Sequence, residues 1–342
     1  MTKRATMIDI AQRAGVSQAT VSLVLGDVAN ARIAQETRDK VRAIADELGY
    51  VRKPGLARNS DVKVIGLLID EMMATPFAAQ FIEGARLEAA RQGALISVFC
   101  TGGDAQVEAA ALTVLQAAGA VGVLYTSLVT RTVRPPPQLL QIPTILLNCH
   151  APAGQFTSVV PADVTGAFAA TEALIRAGHR RIAHIGGESW GEAARDRTLG
   201  YRRALASHDI VFDPELLVAP AWTVASGREL ALRLLDLPRP PTAIFCFSDR
   251  VALGCYEALA ERGLQVGKDV SVIGFDNDDL AAALRPPLST MVLPHEEMAR
   301  WAVASLCDQV AAAGKVAISR VKIDCDLIER GSIGAPRFDQ TE

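Results

Sequence analysis

The stretch Gly15-Val16-Ser17-Gln18-Ala19-Thr20-Val21-Ser22 joins a glycine turn to a run of small and hydroxylated residues. Glycine ends helices because it takes the left-handed backbone without a side-chain clash, and Ser17 is a good cap for a helix that follows. Upstream, Thr6 and Asp9 have capping-box spacing, and Ile8, Ile10, Ala11 and Ala14 supply an apolar stripe. Downstream, Val21, Val24 and Leu25 form an inner face that stops near Gly26 and Asp27. A third helical pattern runs from about Gln35 to Leu48, with Val41, Ile44, Ala45 and Leu48 on one side and Gly49 as its terminator. A glycine turn between two short helices suits a helix-turn-helix. Small side chains let the backbone approach phosphates, hydroxyls bind them, and polar residues at the helix start reach base edges in the major groove. A plain three-helix bundle has the same periodicity, and these residues alone leave both open.

Residues 51–61, Val-Arg-Lys-Pro-Gly-Leu-Ala-Arg-Asn-Ser-Asp, are polar, basic and rich in breakers, as a linker is. From Val62 the pattern changes. Apolar runs at Val64–Ile69, Leu95–Phe99, Val121–Leu124, Thr144–Leu147, Arg181–Ile185, Ala243–Phe247 and Val270–Gly274 have the continuous hydrophobicity of strands buried on both faces. Helical patterns, the first at about Pro76–Gln92, separate most of them. Such alternation predicts an α/β fold with parallel sheets, whose ligands bind beyond the carboxyl ends of the strands. Some 270 residues of it suit two lobes with a cleft between them.

The 342 residues are too many for one compact core. No apolar run reaches the length of a membrane helix, and Lys3, Arg4, Asp9 and Arg13 interrupt what would be a signal peptide, so a cytoplasmic protein is expected. Residues 1–60 hold ten Lys/Arg against six Asp/Glu, and the rest holds 25 against 32. A basic head on an acidic body fits a protein that meets phosphate at one end, although solvated faces could produce the same asymmetry. Cys100, Cys149, Cys246, Cys255, Cys307 and Cys325 form no C-x-x-C and read as reduced thiols. No metal-like His pair, G-x-S-x-G or Walker loop occurs: Gly314-Lys315 is followed by Val316, and Gly186-Gly187 reads as a turn. An enzyme is therefore disfavoured, and neither metal nor cofactor is expected. A solute-binding transport protein would need export, and the head stands where its signal would be.

Ordered motifs through the chain resemble the LacI/GalR family of transcriptional regulators. Ile8-Asp9-Ile10-Ala11 through Ser22, then Thr37–Val41 and Leu48-Gly49-Tyr50, resemble its DNA-binding head. Ala177–Ala183, Arg195–Tyr201, Phe247-Ser248-Asp249, Ala252-Leu253-Gly254, Val270–Asp276 and Pro287–Thr290 follow in the family's order. The resemblance implies a head at 1–50, a hinge at 51–61, and a core like that of periplasmic sugar-binding proteins. One lobe of that core would comprise 62–161 with 291–322, the other 162–290 with 323–332, leaving a tail at 333–342. It implies a homodimer, with larger assemblies left open, on a pseudo-palindromic double-stranded DNA operator, and a small-molecule effector, most often a sugar or sugar derivative.

Carried over by position, Gln18, Ala19 and Leu23 fall where the family reads bases, and Ser17, Thr20 and Ser22 where it contacts phosphates; Thr6 is counted with the DNA-contacting residues. Many relatives carry Arg where this chain has Leu23, which can offer only apolar contact. In the hinge the family shows Ala-Arg-x-Leu, whose leucine wedges into the minor groove; here Ala57-Arg58-Asn59 is followed by Ser60, so either Leu56 takes over as the wedge or the hinge is weaker or rearranged, and the second is the favoured reading. Asp276 and Arg197 match effector-binding positions, with a structural ion pair as the alternative. Trp222 could stack on a sugar face or be ordinary packing. Asp70, Phe77, Ser127 and Asn148, near strand ends, and Ser248 with Asp249 complete the expected effector set.

Overall fold

A computed structural model describes residues 6–25, 33–48, 50, 63–71, 77–312 and 317–337. The chain divides into two units, Met1–Asp61 and Val62–Glu342.

In the first unit, helices α1 (Met7–Ala14), α2 (Gln18–Leu25) and α3 (Gln35–Glu47) share one small core. The Thr6 amide donates to the Asp9 carboxylate at 2.8 Å while the Thr6 hydroxyl accepts from the Asp9 amide at 3.3 Å, so α1 starts with a reciprocal cap. Gly15 ends it with φ +69°. Ser17 accepts the Thr20 amide at 3.1 Å and so caps α2. Ile10, Ala11, Ala14, Val21, Val24, Val41 and Ala45 are buried together. Ile8 departs from expectation: it is 53% exposed, because the inward stripe of α1 is only wide enough for Ile10, Ala11 and Ala14. The expected stops at Gly26, Asp27 and Gly49 and the expected hinge at 51–61, including Leu56, Ala57 and Arg58, lie outside the described residues.

The second unit contains two six-stranded sheets. The first is built from β1 (Lys63–Ile69), β2 (Ala94–Cys100), β3 (Gly122–Thr132), β4 (Thr144–His150), β5 (Thr157–Pro161) and β11 (Arg320–Ile323). Its helices are α4 (Phe77–Arg91), α5 (Ala105–Ala117) and α11 (His295–Ala311). The second has β6 (Ile182–Ile185), β7 (Leu217–Val218), β8 (Ala243–Cys246), β9 (Ser271–Asp276), β10 (Ser289–Val292) and β12 (Leu327–Ile328). Helices α6 (Asp163–Arg176), α7 (Glu192–Ser207), α8 (Val224–Leu235), α9 (Asp249–Glu261) and α10 (Asp279–Ala283) accompany it. The orders are β11-β5-β4-β3-β1-β2 and β12-β10-β9-β8-β6-β7. All pairings are parallel except β10 with β12. In each sheet the first strand lies between the second and the third, so each has a switch point where a crevice opens at the carboxyl ends.

The chain passes between sheets after Pro161, between Val292 and His295, and between Ile323 and Leu327. The second passage corrects the expected boundary at 290/291: Thr290 and Met291 still pair with Gly274 and Phe275 of β9. The expected tail at 333 is corrected too. His179 Nε2 lies 2.8 Å from the Gly334 carbonyl, and the Gly334 amide donates to Ser271 Oγ at 3.0 Å. The segment after Ser332 is thus bonded to the second lobe.

Close helix contacts explain one of the recognised motifs. At Gly200 of α7 an added Cβ would lie 2.3 Å from the Val164 carbonyl oxygen of α6, so backbone fills the space a side chain would take. Gly200→Ala should destabilise the core by about 1–3 kcal/mol or more, read as a lower urea midpoint; an unchanged midpoint would show that the two helices can separate freely.

Candidate functional site

On α2, Ser17, Gln18, Ala19, Ser22 and Leu23 are exposed, and Thr20 is half-buried. Val21 and Val24 alone among its residues are fully committed to the core, so the helix holds its outer face rigidly outward. Ser17 and Thr20 lie 2.9 Å apart through their hydroxyls, which places two phosphate-type donors at the helix N-terminus, where the helix dipole also favours an anion. The expected base-reading and phosphate positions therefore share one exposed face. Thr6, by contrast, is committed to the α1 cap.

In the second unit a cavity of about 350 Å³ opens where the carboxyl ends of the two sheets face each other. The first lobe contributes Phe77, the β3 residues Leu128, Val129 and Thr130, and Asn148 at the end of β4. The second contributes Arg197 of α7, Trp222, Phe247 and Ser248 beyond their strands, and Asp276 at the end of β9. Leu293 and His295 enter from the passage between lobes. The β3–β4 register shifts between Thr126 and Arg131; such irregularities re-aim side chains, and here Leu128–Thr130 become a wall. The lining is mostly apolar, with a few convergent polar groups, as small-molecule sites are.

Arg197 is 3% exposed and heavily tied. Its Nε donates to Asp163 Oδ1 at 2.8 Å, its Nη1 donates to the Phe247 carbonyl at 2.6 Å, and its guanidinium lies 3.7 Å from the Phe275 ring centre. Asp276 sits 3.6 Å from Arg197 Nη1, too far for a good hydrogen bond. Its carboxylate accepts no side-chain hydrogen bond within the described residues. Burial pushes its carboxyl well above the usual range, against the pull of Arg197. Its φ of 120°, followed by Asn277 at 55°, is costly backbone of the kind that clusters at ligand sites. Asp276 is thus a buried acid held under strain with its oxygens uncommitted.

Of the expected effector residues, Phe77, Asn148, Arg197, Trp222, Ser248 and Asp276 come together at the cavity. Asp70, Ser127 and Asp249 do not line it. Asp70 accepts from Ser127 Oγ at 2.7 Å, from the Leu128 amide at 2.9 Å and from Arg131 at 2.7 Å, so it and Ser127 fix the β3 wall instead. Asp249 accepts from the Thr290 hydroxyl at 2.6 Å and the Asp278 amide at 2.8 Å; burial pushes its carboxyl up to about 7 despite these bonds. Asn148 lines the wall with its polar atoms spent: the Thr130 hydroxyl donates to its oxygen, and its amide donates to the carbonyls of Ser127 and Leu128. Phe247, Leu128–Thr130, Leu293 and His295 were not anticipated. Only the position of Phe247 at the end of an apolar run offered a signal.

His295 lies tilted by 39° against Phe81 with ring centres 4.3 Å apart and meets Phe77 edge-on at 5.1 Å. Burial lowers its pKa to about 3, and burial likewise lowers that of His184 to about 4. A lowered folded-state pKa gives stability that is fully present above about 6.5 and is lost as pH falls toward the folded value. His295→Phe should therefore lose about 2 kcal/mol less stability than the parent between pH 6.5 and pH 5, measured by denaturant unfolding at each pH. Asp249, with its pKa raised, acts in the opposite sense but equally in both proteins. Parallel pH profiles would show that His295 does not titrate on unfolding.

Residues 6–53 match the model of bacterial regulatory proteins of the lacI family, and residues 171–333 match that of a periplasmic binding protein-like domain. The HTH-type transcriptional repressor CytR of Escherichia coli (strain K12) is 34% identical over 335 residues, 97% of each chain. The chain belongs to the LacI family. Among solved relatives, the transcriptional regulator CelR in complex with cellobiose is 28% identical with a TM-score of 0.67, over 96% of this chain and 100% of that one. The lac repressor dimer bound to operator and the anti-inducer ONPF is 25% identical with a TM-score of 0.69, over 97% of this chain and 100% of that one. The family's architecture thus accounts for both units, the head with its exposed α2 face and the two-lobed core. No helix among the described residues is long and apolar enough to cross a membrane.

Proposed function

We propose that this LacI-family member is a transcriptional repressor, without catalytic activity of its own, whose operator affinity is set by a small molecule bound in the cleft. The operator is a pseudo-palindrome read by a homodimer in the cytoplasm. Gln18 reads base edges, Ala19 and Leu23 make apolar contacts such as those to thymine methyl groups, and Ser17, Thr20 and Ser22 hold phosphates. Thr6 keeps α1 in register behind them, and Leu56, Ala57 and Arg58 belong to the hinge. The effector is a sugar or sugar derivative, consistent with a relative that binds cellobiose.

The observation that carries this reading is the division of the cavity between lobes. Arg197, Ser248, Arg250 and Asp276 come from the second lobe, while Glu71, Phe77 and Leu128–Thr130 come from the first. A ligand touching both has an affinity that depends on how the lobes are arranged, and such differential affinity is what allows it to shift an equilibrium. The domain assignment follows: the head ends near 50, and the lobes divide at the three passages. The reading is tested by binding a fluorescent operator duplex with and without ligand. Gln18→Ala should weaken binding to the cognate site about ten- to a hundredfold and binding to scrambled DNA far less; equal losses on both would remove Gln18 as a base reader.

A further inference from the structure

Five histidines occur in the chain, none of them in the head: His150, His179, His184, His208 and His295. Histidine is the side chain whose charge ordinarily changes between pH 5 and 8. Burial lowers the pKa of His179, His184 and His295 and holds all three toward the neutral form. His208 lies 3.4 Å from Glu172, and both belong to the second lobe. Of the five, only His150 is paired with a carboxylate of the other lobe. It ends β4 of the first lobe, and its Nε2 lies 2.7 Å from Oε2 of Glu192, the first residue of α7 in the second. Both side chains are largely out of water, at 10% and 22% exposure. A pair so placed is screened less than one at the surface.

The charges around the pair come from three elements. On α7, Asp196 stands one turn beyond Glu192 on the same face, and Arg195 Nη1 donates to the carbonyls of Ser189 and Trp190. On β11, Lys322 Nζ lies 3.9 Å from Asp196 Oδ2, a second contact across the lobes, and Arg320 lines the same surface pocket as His150. On β3, Thr132 stands opposite His150, and its neighbour Arg131 is bonded to Asp70. Two acids of α7 thus face basic groups of the first lobe. The same helix carries Arg197 of the cavity, so a movement of α7 away from β4 breaks the His150 pair and displaces Arg197 together.

We propose that His150 and Glu192 form a proton-operated latch between the lobes, so that pH as well as effector sets their arrangement and hence operator affinity. With His150 protonated, its Nε2–H donates to a carboxylate in a charge-assisted bond; without that proton the charge attraction is lost. A proton bound more tightly in the paired arrangement must favour that arrangement. Falling pH therefore holds the lobes as they stand here, and rising pH releases them. This rests on the reading that lobe arrangement governs operator affinity.

The test uses the full-length protein without ligand and a fluorescent duplex carrying a site enriched from a random pool. Relative to His150→Gln, the parent's operator affinity should differ about three- to tenfold at pH 6 and less than about twofold at pH 8. His150→Lys, with its permanent cation, should keep the difference at pH 8, and Glu192→Gln should behave as His150→Gln does. The raised carboxyls of Asp249 and Asp276 are common to all these proteins and cancel in the comparison. Lobe arrangement is read separately, by energy transfer between dyes on azide-bearing residues at Gln138 and Arg239, with labelled protein diluted in unlabelled. Both positions are exposed, ahead of the amino ends of β4 and β8. Transfer should change between pH 6 and pH 8 in the parent and stay constant in His150→Gln. The latch is overturned if parent and His150→Gln share one pH dependence of transfer, or if Lys and Gln at this position behave alike. If transfer responds to pH through His150 while operator affinity does not, the latch stands and the reading that lobe arrangement governs operator affinity falls.

Discussion

Asp276→Ala is expected to leave operator binding intact and to weaken the effector by about thirty- to a thousandfold, so that ligand no longer changes DNA affinity. The magnitude follows from the loss of two hydrogen bonds to a carboxyl in a desolvated site, about 2–4 kcal/mol together. The geometry makes the test clean. Asp276 lies 3.6 Å from Arg197 and accepts no side-chain hydrogen bond from the described residues, so its removal takes away one long ion pair and leaves Arg197 bonded to Asp163. Burial raises its carboxyl, which means that ionising it opposes folding near neutral pH. The variant should accordingly unfold at the same temperature as the parent or above it. A ligand response of parental size in Asp276→Ala would remove this residue from the site.

Arg197 should behave in the opposite way, because its partners are structural. Arg197→Leu leaves the Asp163 carboxylate, 2% exposed, without its cation and frees the Phe247 carbonyl. Breaking a buried pair at one end costs about 3–5 kcal/mol. Replacing both ends with apolar side chains removes the stranded Asp163 charge but leaves Asp276 without its cation, so Arg197→Leu with Asp163→Leu should regain part of that stability while still failing to respond to effector. Urea unfolding of the two single variants and the double variant closes the cycle. If Arg197→Leu unfolds at the parental midpoint, the pair does not organise the cleft floor as described.

These two residues show where sequence reading succeeds and where it stops. Periodicity is local, so α1, α2 and the long buried strands were visible in the order of apolar residues. The two-residue strands β7 and β12 were not, because so short a segment has no period. Arg197 and Asp276 were placed by resemblance, with a structural ion pair as the alternative. The structure gives them different parts: Arg197 is the half of an ion pair with Asp163, and Asp276 is left uncommitted beside it. Asp70, Ser127 and Asp249 also sit at strand ends, yet partners far away in the chain, among them Arg131 and Thr290, use up their oxygens. His295 and Leu293 reach the cavity because the chain crosses between lobes there, and the β3 wall because a register shift turns it inward. None of those placements is encoded within a window of neighbouring residues.

On the proposed reading of α2, Leu23 offers only apolar contact and leaves Gln18 as the polar side chain expected to discriminate bases.

On the proposed function, one chain couples a DNA-reading head to a ligand-gated cleft. Selecting duplexes from a random pool with the full-length protein, then measuring its affinity for the enriched site with and without a cleft ligand, addresses it directly. A two-fold symmetric site is expected, with binding that falls steeply as salt rises and that changes at least fivefold with a ligand ineffective on Asp276→Ala. Enrichment of no site, or a ligand that occupies the cleft and leaves operator affinity unchanged, would contradict it.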